Sequence, residues 1–403
     1  MNQLLSITNL KLYTFFIFVI FIFGCASSLT PTRTKEQRTS GLYISAKNLY
    51  NQGSYIQAIY LLKQSIEFDP NFAEAFYVLG LTYIKIKDYH EAIEKLNKAK
   101  ELKPTTKDPG YNTADIEFNI GLAYIGLKDY KTAAEYLNDA VSFHPGFAKA
   151  YYNLAYIAEL ENKKEETYKN LKKAIEADPK MGKAYIALGV LYKKDGNLEV
   201  AQKQFEKAIE VDKENKTAFN ELGKLFREVG EYENAARHFR RAVQIDNKFI
   251  DAYLNLGFVY VDLKSFDKAK SIFTKVTQID STLPEGFVNL AQVYYLIGDT
   301  SAALENFRIV LRLQPNYQLV NFQIGQILEQ QGKNTFAIEA YRQEIIVNPK
   351  HAFSHFNLAV LLHRAGLLDE AVVEYKKYLE LVPKGDERAK KVVAILKKLE
   401  KIK

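Results

Sequence analysis

Seven prolines recur at a fixed interval: Pro70, Pro104, Pro145, Pro179, Pro315, Pro349 and Pro383. Four of the gaps are 34 residues, one is 41, and one is 136, which is four times 34. The members missing from the long gap fall at Lys213, Asn247 and Ser281. The spacing therefore predicts ten units over residues 39–383. A unit this short cannot bury a core alone, so neighbours must stack into a solenoid.

With the proline counted as position 32, other positions recur in step. Position 20 is alanine in nine units: Ala58, Ala92, Ala133, Ala201, Ala235, Ala269, Ala303, Ala337 and Ala371, with Thr167 the exception. Position 7 is Leu or Ile in nine, from Leu79 and Ile120 to Leu358, and position 8 is small throughout, as at Gly80, Gly189 and Gly257. Aromatics stand at position 4: Phe76, Tyr151, Tyr185, Phe219, Tyr253 and Phe287. At about 100° per residue, positions 4, 7, 8 and 11 share one helix face. Small residues at 8 and 20 let two helices approach closely, and the aromatic fills the space beside them. The proline, lacking an N–H, is expected to end the second helix.

This pattern resembles the tetratricopeptide repeat. The resemblance implies an all-α, right-handed superhelical solenoid of about ten helix-turn-helix units that presents a concave groove to a protein or peptide. Two features interrupt the period. An insertion near 105–111 (Thr-Thr-Lys-Asp-Pro-Gly-Tyr) reads as a turn-rich loop, either a surface loop or a partner contact or bend in the superhelix. The first unit is degenerate, with Leu42 and Ser45 at positions 4 and 7, as a terminal cap requires.

Residues 384–403 continue as one more helix, with Val392, Val393 and Leu396 in register to cover the last repeat. Its other face carries Lys390, Lys391, Lys397, Lys398 and Lys401, either solvated or set against anionic lipid. Those twenty residues hold eight Lys/Arg against Asp386, Glu387 and Glu400, so most of the chain's net charge of +7 lies there. The repeats are nearly neutral and offer no electrostatic footprint for nucleic acid.

The N-terminus has its own logic. Lys11 is the only charge before Arg33, and Leu12 to Phe23 is unbroken apolar or aromatic sequence apart from Thr14. Twelve residues rise about 18 Å as a helix, short of a hydrocarbon core of about 30 Å, which is the length of a signal-peptide core. Ile22-Phe23-Gly24-Cys25 then resembles a bacterial lipobox around the chain's one cysteine. The resemblance implies cleavage before Cys25 and acylation of its thiol, with residues 1–24 the signal and 25–38 a flexible tether. Ala26 after the cysteine fits outer-membrane routing, by the same resemblance. An uncleaved anchor over Leu12 to Thr32 is the other reading. Both tether the repeats to a membrane on the exported side.

One cysteine excludes a disulfide framework and any multi-cysteine metal site. No G-x-S-x-G, H-E-x-x-H, Walker or G-x-G-x-x-G motif occurs. His355 falls at packing position 4, His363 at position 12 on the opposite face, and His351 in the preceding loop, so no metal site is expected. The expectation is a protein with no cofactor and no catalysis; an enzyme with an unrecognised site is the opposing class.

What remains is helix A's outward face at positions 2, 5, 6, 9, 12 and 13. Position 6 is asparagine at Asn119, Asn153, Asn255, Asn289 and Asn357. An amide side chain matches the donors and acceptors of a peptide backbone. The row is similar to the asparagine ladder in the repeats of protein O-linked N-acetylglucosaminyltransferases. Lys183, Lys193, Lys194, Lys224 and Arg227 form a basic stretch, partly offset by Glu221 and Glu228, and Phe322, Phe353 and Phe356 add aromatic surface further on. A partner with an acidic segment followed by an apolar one suits that order. The whole is expected to be a membrane-anchored scaffold in cell-envelope assembly, facing the periplasm from the outer membrane and open to self-association. It resembles both the tetratricopeptide lipoproteins of type IV pilus biogenesis, which help a secretin assemble, and those that recruit peptidoglycan hydrolases.

Overall fold

The computed structural model describes residues 34–383 and 385–399. Among these residues there are 21 helices and no strand. The chain divides into two compact units, Met1–Asn170 and Leu171–Lys403. Unit 1 holds α1 (Lys35–Asn51), α2 (Tyr55–Phe68), α3 (Ala73–Lys85), α4 (Tyr89–Glu101), α5 (Thr113–Gly126), α6 (Tyr130–Phe143) and α7 (Ala148–Leu160). The division falls within α8 (Lys164–Ala177). Unit 2 holds α9 (Gly182–Lys194), α10 (Leu198–Val211), α11 (Lys216–Glu228), α12 (Tyr232–Ile245), α13 (Ile250–Asp262), α14 (Phe266–Ile279), α15 (Pro284–Leu296) and α16 (Thr300–Leu313). It continues through α17 (Val320–Gln330), α18 (Asn334–Val347), α19 (Ala352–Arg364), α20 (Leu368–Leu381) and α21 (Glu387–Leu399). Among the described residues no helix is long and apolar enough to cross a membrane.

Within each unit the odd helix of a pair is helix A and packs on its own helix B, which packs in turn on the next A. Successive A helices also approach one another (α1 and α3, α3 and α5; α9 and α11, α11 and α13), more closely than successive B helices do. Closer spacing on one side bends each stack toward it, so the A helices line the inner face of each unit.

The pairs close where the repeat places small residues. All nine position-20 alanines are fully buried. Thr167, the exception, turns its hydroxyl back to the carbonyl of Lys163 at 2.9 Å. The position-8 glycines face a large residue sixteen positions on. A Cβ on Gly80 would lie 2.6 Å from Leu96, one on Gly189 2.6 Å from Phe205, and one on Gly257 2.5 Å from Phe273. The core of each pair is thus a bulky side chain seated in a backbone notch.

The A–B turn explains another recurrence. Position 15 takes a positive φ in every repeat: glycine at Gly53, Gly196, Gly230, Gly298, Gly332 and Gly366, but Lys87, Lys128, Asn162 and Lys264 elsewhere. The following N–H closes the helix from beyond this residue, as Ser265 N–H does on the Tyr260 carbonyl at 2.8 Å. This left-handed C-terminal cap suits glycine, which has no Cβ to clash.

Helix B ends just before each of the seven prolines, as expected, but proline is not required for the stop. Helices α10, α12 and α14 end at Val211, Ile245 and Ile279, the same register as their proline-bearing counterparts, although Lys213, Asn247 and Ser281 hold the proline position. The stop is set one residue earlier. Asp212, Asp246 and Asp280 accept from the N–H two residues on, at 3.0, 2.9 and 2.8 Å, as do Asp69 and Asp178 at 3.0 and 2.9 Å. An Asx turn at position 31 diverts the chain in these five repeats, whereas at Pro104, Pro145, Pro315 and Pro383, which no Asp or Asn precedes, the proline is left to end the helix.

At the ends, α1 begins at Lys35, earlier than the composition suggested. Thr34 caps it, exchanging hydrogen bonds with Gln37, so residues 35–38 are helical rather than tether. The proposed signal over 1–24, Cys25 and the tether as far as residue 33 lie outside the described residues. The final helix α21 buries Val392, Leu396 and Leu399 while leaving Val393 40% exposed, so its covering stripe is rotated from the one expected.

Candidate binding groove

The inner face of unit 1 is partly filled by its own chain. Glu74, at position 2 of α3, is buried, and its carboxylate accepts from the N–H and hydroxyl of Thr105 and of Thr106, all at 2.9–3.0 Å. Five residues on, Tyr111 stacks flat on Tyr77, with centroids 4.1 Å apart. The insertion is therefore a strap laid over α3, and its end covers a groove position. Burial pushes the Tyr111 phenol up to about 12, and its hydroxyl is enclosed without a partner among the described residues. Asn119 gives its amide to the Asp115 carbonyl at 2.7 Å and to Tyr77 Oη at 3.2 Å, and Asn153 donates to the Lys149 carbonyl at 2.8 Å.

In unit 2 the expected cations are interleaved with acids. Lys193 lies 3.6 Å from Glu228, Lys224 2.7 Å from Glu221, and Arg227 2.6 Å from Asp262 while also lying over the Phe258 ring. Lys183 and Lys194 are exposed. The basic stretch is thus a lattice of exchangeable ion pairs. Asn255 donates to Asn220 Oδ1 at 3.2 Å, and Asn357 to Tyr341 Oη at 3.2 Å. Each of these amides spends a donor inside the fold. Asn289 is half-buried. Phe322 and Phe356 pack into the repeats, against Tyr341 and Tyr378 respectively, whereas Phe353 is 44% exposed with Arg388 of α21 over its ring. Of the three phenylalanines, Phe353 offers the most surface.

The structure adds residues that sequence reasoning did not name. Gln292, Tyr295, Gln323 and Gln326, on α15 and α17, surround a small hollow of about 80 Å³ floored by Phe307 and Ile327. Gln323 Oε1 is buried there without a hydrogen-bond partner among the described residues. Gln330 closes one side through Tyr295 Oη at 2.7 Å. These residues occupy groove positions 6, 9, 12 and 13; the signal was present, but counting only asparagine at position 6 passed over it.

His355 and His351 play structural parts. His355 Nδ1 lies 2.5 Å from Glu374 and Nε2 3.0 Å from the Pro349 carbonyl, so both ring nitrogens are engaged. His351 Nδ1 pairs with Ser354 Oγ at 2.7 Å. Among the described residues no group of three His, Cys, Asp or Glu side chains is placed to hold a metal ion.

Stacked helix pairs with a side-chain-lined inner face define the class: a repeat-built scaffold. The chain is built of tetratricopeptide repeats. Family models described as tetratricopeptide repeat match residues 71–145; 148–181, 182–215 and 250–283; and 288–345 and 322–386. A TPR-repeat model matches 223–264, and one described as anaphase-promoting complex, cyclosome, subunit 3 matches 23–99. No curated protein matches the chain. Similar solved structures include YrrB, a TPR protein with an unusual peptide-binding site, at 26% identity over 46% of this chain and 96% of that one, TM-score 0.39. Pseudomonas aeruginosa PilF is 21% identical over 50% of this chain and 92% of its own, TM-score 0.44. Yeast Tom70 is 15% identical over 91% of this chain and 96% of its own, TM-score 0.43.

Proposed function

We propose that the chain is a non-catalytic scaffold that grips an extended segment of a protein partner along the A-helix face of unit 2. The observation that carries this reading is the unpartnered Gln323 Oε1 in its amide-lined hollow. A buried acceptor left without a donor costs about 1–3 kcal/mol, and a peptide N–H from a bound segment would remove that cost. Gln292 and Gln326 beside it supply further donors and acceptors for a backbone. Toward α9 and α11, acidic side chains of the partner bind by exchanging with Glu228, Glu221 and Asp262 for Lys193, Lys224 and Arg227. Repeats of this family generally serve as scaffolds, which supports the absence of catalysis.

The apolar run ending at Cys25 supports an exported protein held by acyl chains at the outer membrane, facing the periplasm, where it holds a partner during envelope assembly. The test is an affinity capture from native membranes. Wild-type protein should retain specific envelope proteins. A Lys193→Glu, Lys194→Glu, Lys224→Glu variant should lose them with its helical circular dichroism intact; unchanged capture would end the groove reading. Separately, Cys25→Ala should leave the membrane fraction, and continued sedimentation with membranes would support the uncleaved anchor instead.

A further inference from the structure

On the B-helix side of unit 2, α12 carries Arg237, Arg240 and Arg241 at i, i+3 and i+4, with Gln244 one turn further. With Phe219 and His238 they line an open cleft of about 390 Å³. The cleft has a rigid aromatic floor: His238 stacks on Phe226 at 5.2 Å and 7°, and on Phe219 at 6.1 Å and 27°.

The partners of these arginines are neutral. Arg237 donates to Asn234 Oδ1 at 2.8 Å and Arg240 to the Ala236 carbonyl at 3.3 Å. None of the three is in an ion pair among the described residues. Elsewhere in the unit Arg227, Arg342 and Arg364 each hold a carboxylate. Glu206 of α10 is the acid whose field reaches His238, and it already accepts from Gln202 at 2.8 Å. Three like charges within about one turn repel one another, an arrangement that an anionic ligand relieves.

The geometry selects among anions. Phosphate sites usually gather backbone N–H groups at a helix N-terminus. Here the arginines lie in the middle of a helix, in a row. From Arg237 to Arg241 the rise is about 6 Å, at 1.5 Å per residue. Alternate residues of an extended chain, which share one face, lie about 6.7 Å apart. We propose that this face docks an extended acidic segment of a partner protein, with carboxylates at alternate residues taken by Arg237 and Arg241 and flanked by Arg240 and Gln244. The guanidinium fork suits such bidentate capture. The arginines lie on a helix B, α12, and the groove residues on the A helices, so the site does not depend on the groove reading; together the two would let one scaffold hold two partners.

The test is fluorescence anisotropy with a labelled peptide of alternating glutamate and serine, and a control peptide of alternating glutamine and serine, on the full chain. The glutamate peptide should bind at least about tenfold more tightly than the control. Measured in a Lys193→Gln, Lys194→Gln, Lys224→Gln background, which removes the groove's own attraction for acids, an Arg237→Gln, Arg241→Gln double variant with unchanged helicity should lose that difference, and Lys98→Gln on α4, outside both sites, should keep it. Equal affinity for the two peptides, or full binding by the double variant, would overturn the proposal. So would complete displacement by inorganic phosphate at matched ionic strength, which would make this an anion site. Should the double variant fail to fold, Arg240→Gln alone must still weaken the glutamate peptide.

Discussion

Thr106 holds Glu74 twice, through its backbone N–H and its hydroxyl, each at 2.9 Å. Thr105 repeats the pair of contacts, so a carboxylate only 2% exposed is fully coordinated by the insertion. Burial alone would raise the Glu74 carboxyl, but bonds from its own N–H, Thr106 and Thr105 outweigh it and hold it below the ordinary glutamate value. A depressed carboxyl stabilises the fold above its unfolded pKa, and that contribution fades as pH falls through the folded value. The strap should therefore loosen only in acid. Glu74→Gln should loosen it at neutral pH by about 1–3 kcal/mol, read as faster hydrogen exchange and proteolysis at 105–111. Unchanged protection would refute the strap.

The turn at position 15 gives a stabilising prediction. Lys87, Lys128 and Lys264 hold left-handed backbone at φ 65°, 63° and 55°. That conformation costs a side-chain-bearing residue about 1–2 kcal/mol, partly offset by glycine's greater unfolded entropy. Lys264→Gly should raise the thermal midpoint, and Gly230→Lys in the neighbouring repeat should lower it. A shift of the opposite sign in either would contradict the cap.

Much of this architecture is legible in the sequence because a period averages out local noise. Ala269 and Gly257 recur in register, and the structure seats them where the period places them, against the partner helix and Phe273. What the period hides are substitutions that exchange one mechanism for another. Asp212 stops a helix without proline. Glu117, in the aromatic slot of its repeat, is buried and bonded to Lys100 at 2.6 Å. Leu319 takes φ 69° because α17 starts late and the buried Glu344 accepts its N–H at 2.8 Å. Counting residue types cannot reveal which acceptor a neighbouring helix brings. For the same reason the groove's cations were visible but their acids, notably Asp262 one repeat further, were not all anticipated.

The notch between Gly257 and Phe273 should be a coupled pair. Gly257→Val drives side-chain atoms into a ring already 2.5 Å from a built Cβ, and overpacking of this kind costs about 1–3 kcal/mol. Phe273→Leu should restore part of that loss, since Leu62 packs with Ala46, a residue that carries a Cβ, at the same two positions of the first repeat. A double-mutant cycle by urea denaturation checks it; simple additivity would show that the two side chains do not meet.

The last repeat should respond to pH through His355. Its two partners, the Glu374 carboxylate and the Pro349 carbonyl, both accept, so the imidazolium form, which donates from both ring nitrogens, satisfies both and is the form the site favours. Burial opposes the charge, yet the bonds to Glu374 and Pro349 outweigh it and raise the pKa despite Lys377 nearby. A raised histidine stabilises fully below its unfolded value of about 6.5 and loses that contribution as pH rises through the folded value. His351, lowered by burial and by His355, acts in the other direction and loses its contribution as pH falls. His355→Phe, which restores the aromatic of other repeats, should abolish the alkaline loss and weaken, without removing, the acid-side term, because burial still lowers His351. Proton NMR of the ring signals reads both titrations, and a His355 resonance titrating below the free-histidine value would refute the assignment.

Gln323 separates a structural role from a binding role. Its buried Oε1 lacks a donor, so Gln323→Leu, of similar volume, removes an unsatisfied acceptor and should stabilise unit 2 by about 1–3 kcal/mol. The same change removes the acceptor offered to a peptide N–H and should weaken partner capture. A residue that merely packs would move both quantities together, whereas a residue kept unsatisfied for a ligand moves them apart. Thermal denaturation and membrane capture on one preparation decide the matter: a variant both more stable and less retentive supports the grip, and a variant more stable with undiminished capture places the partner elsewhere.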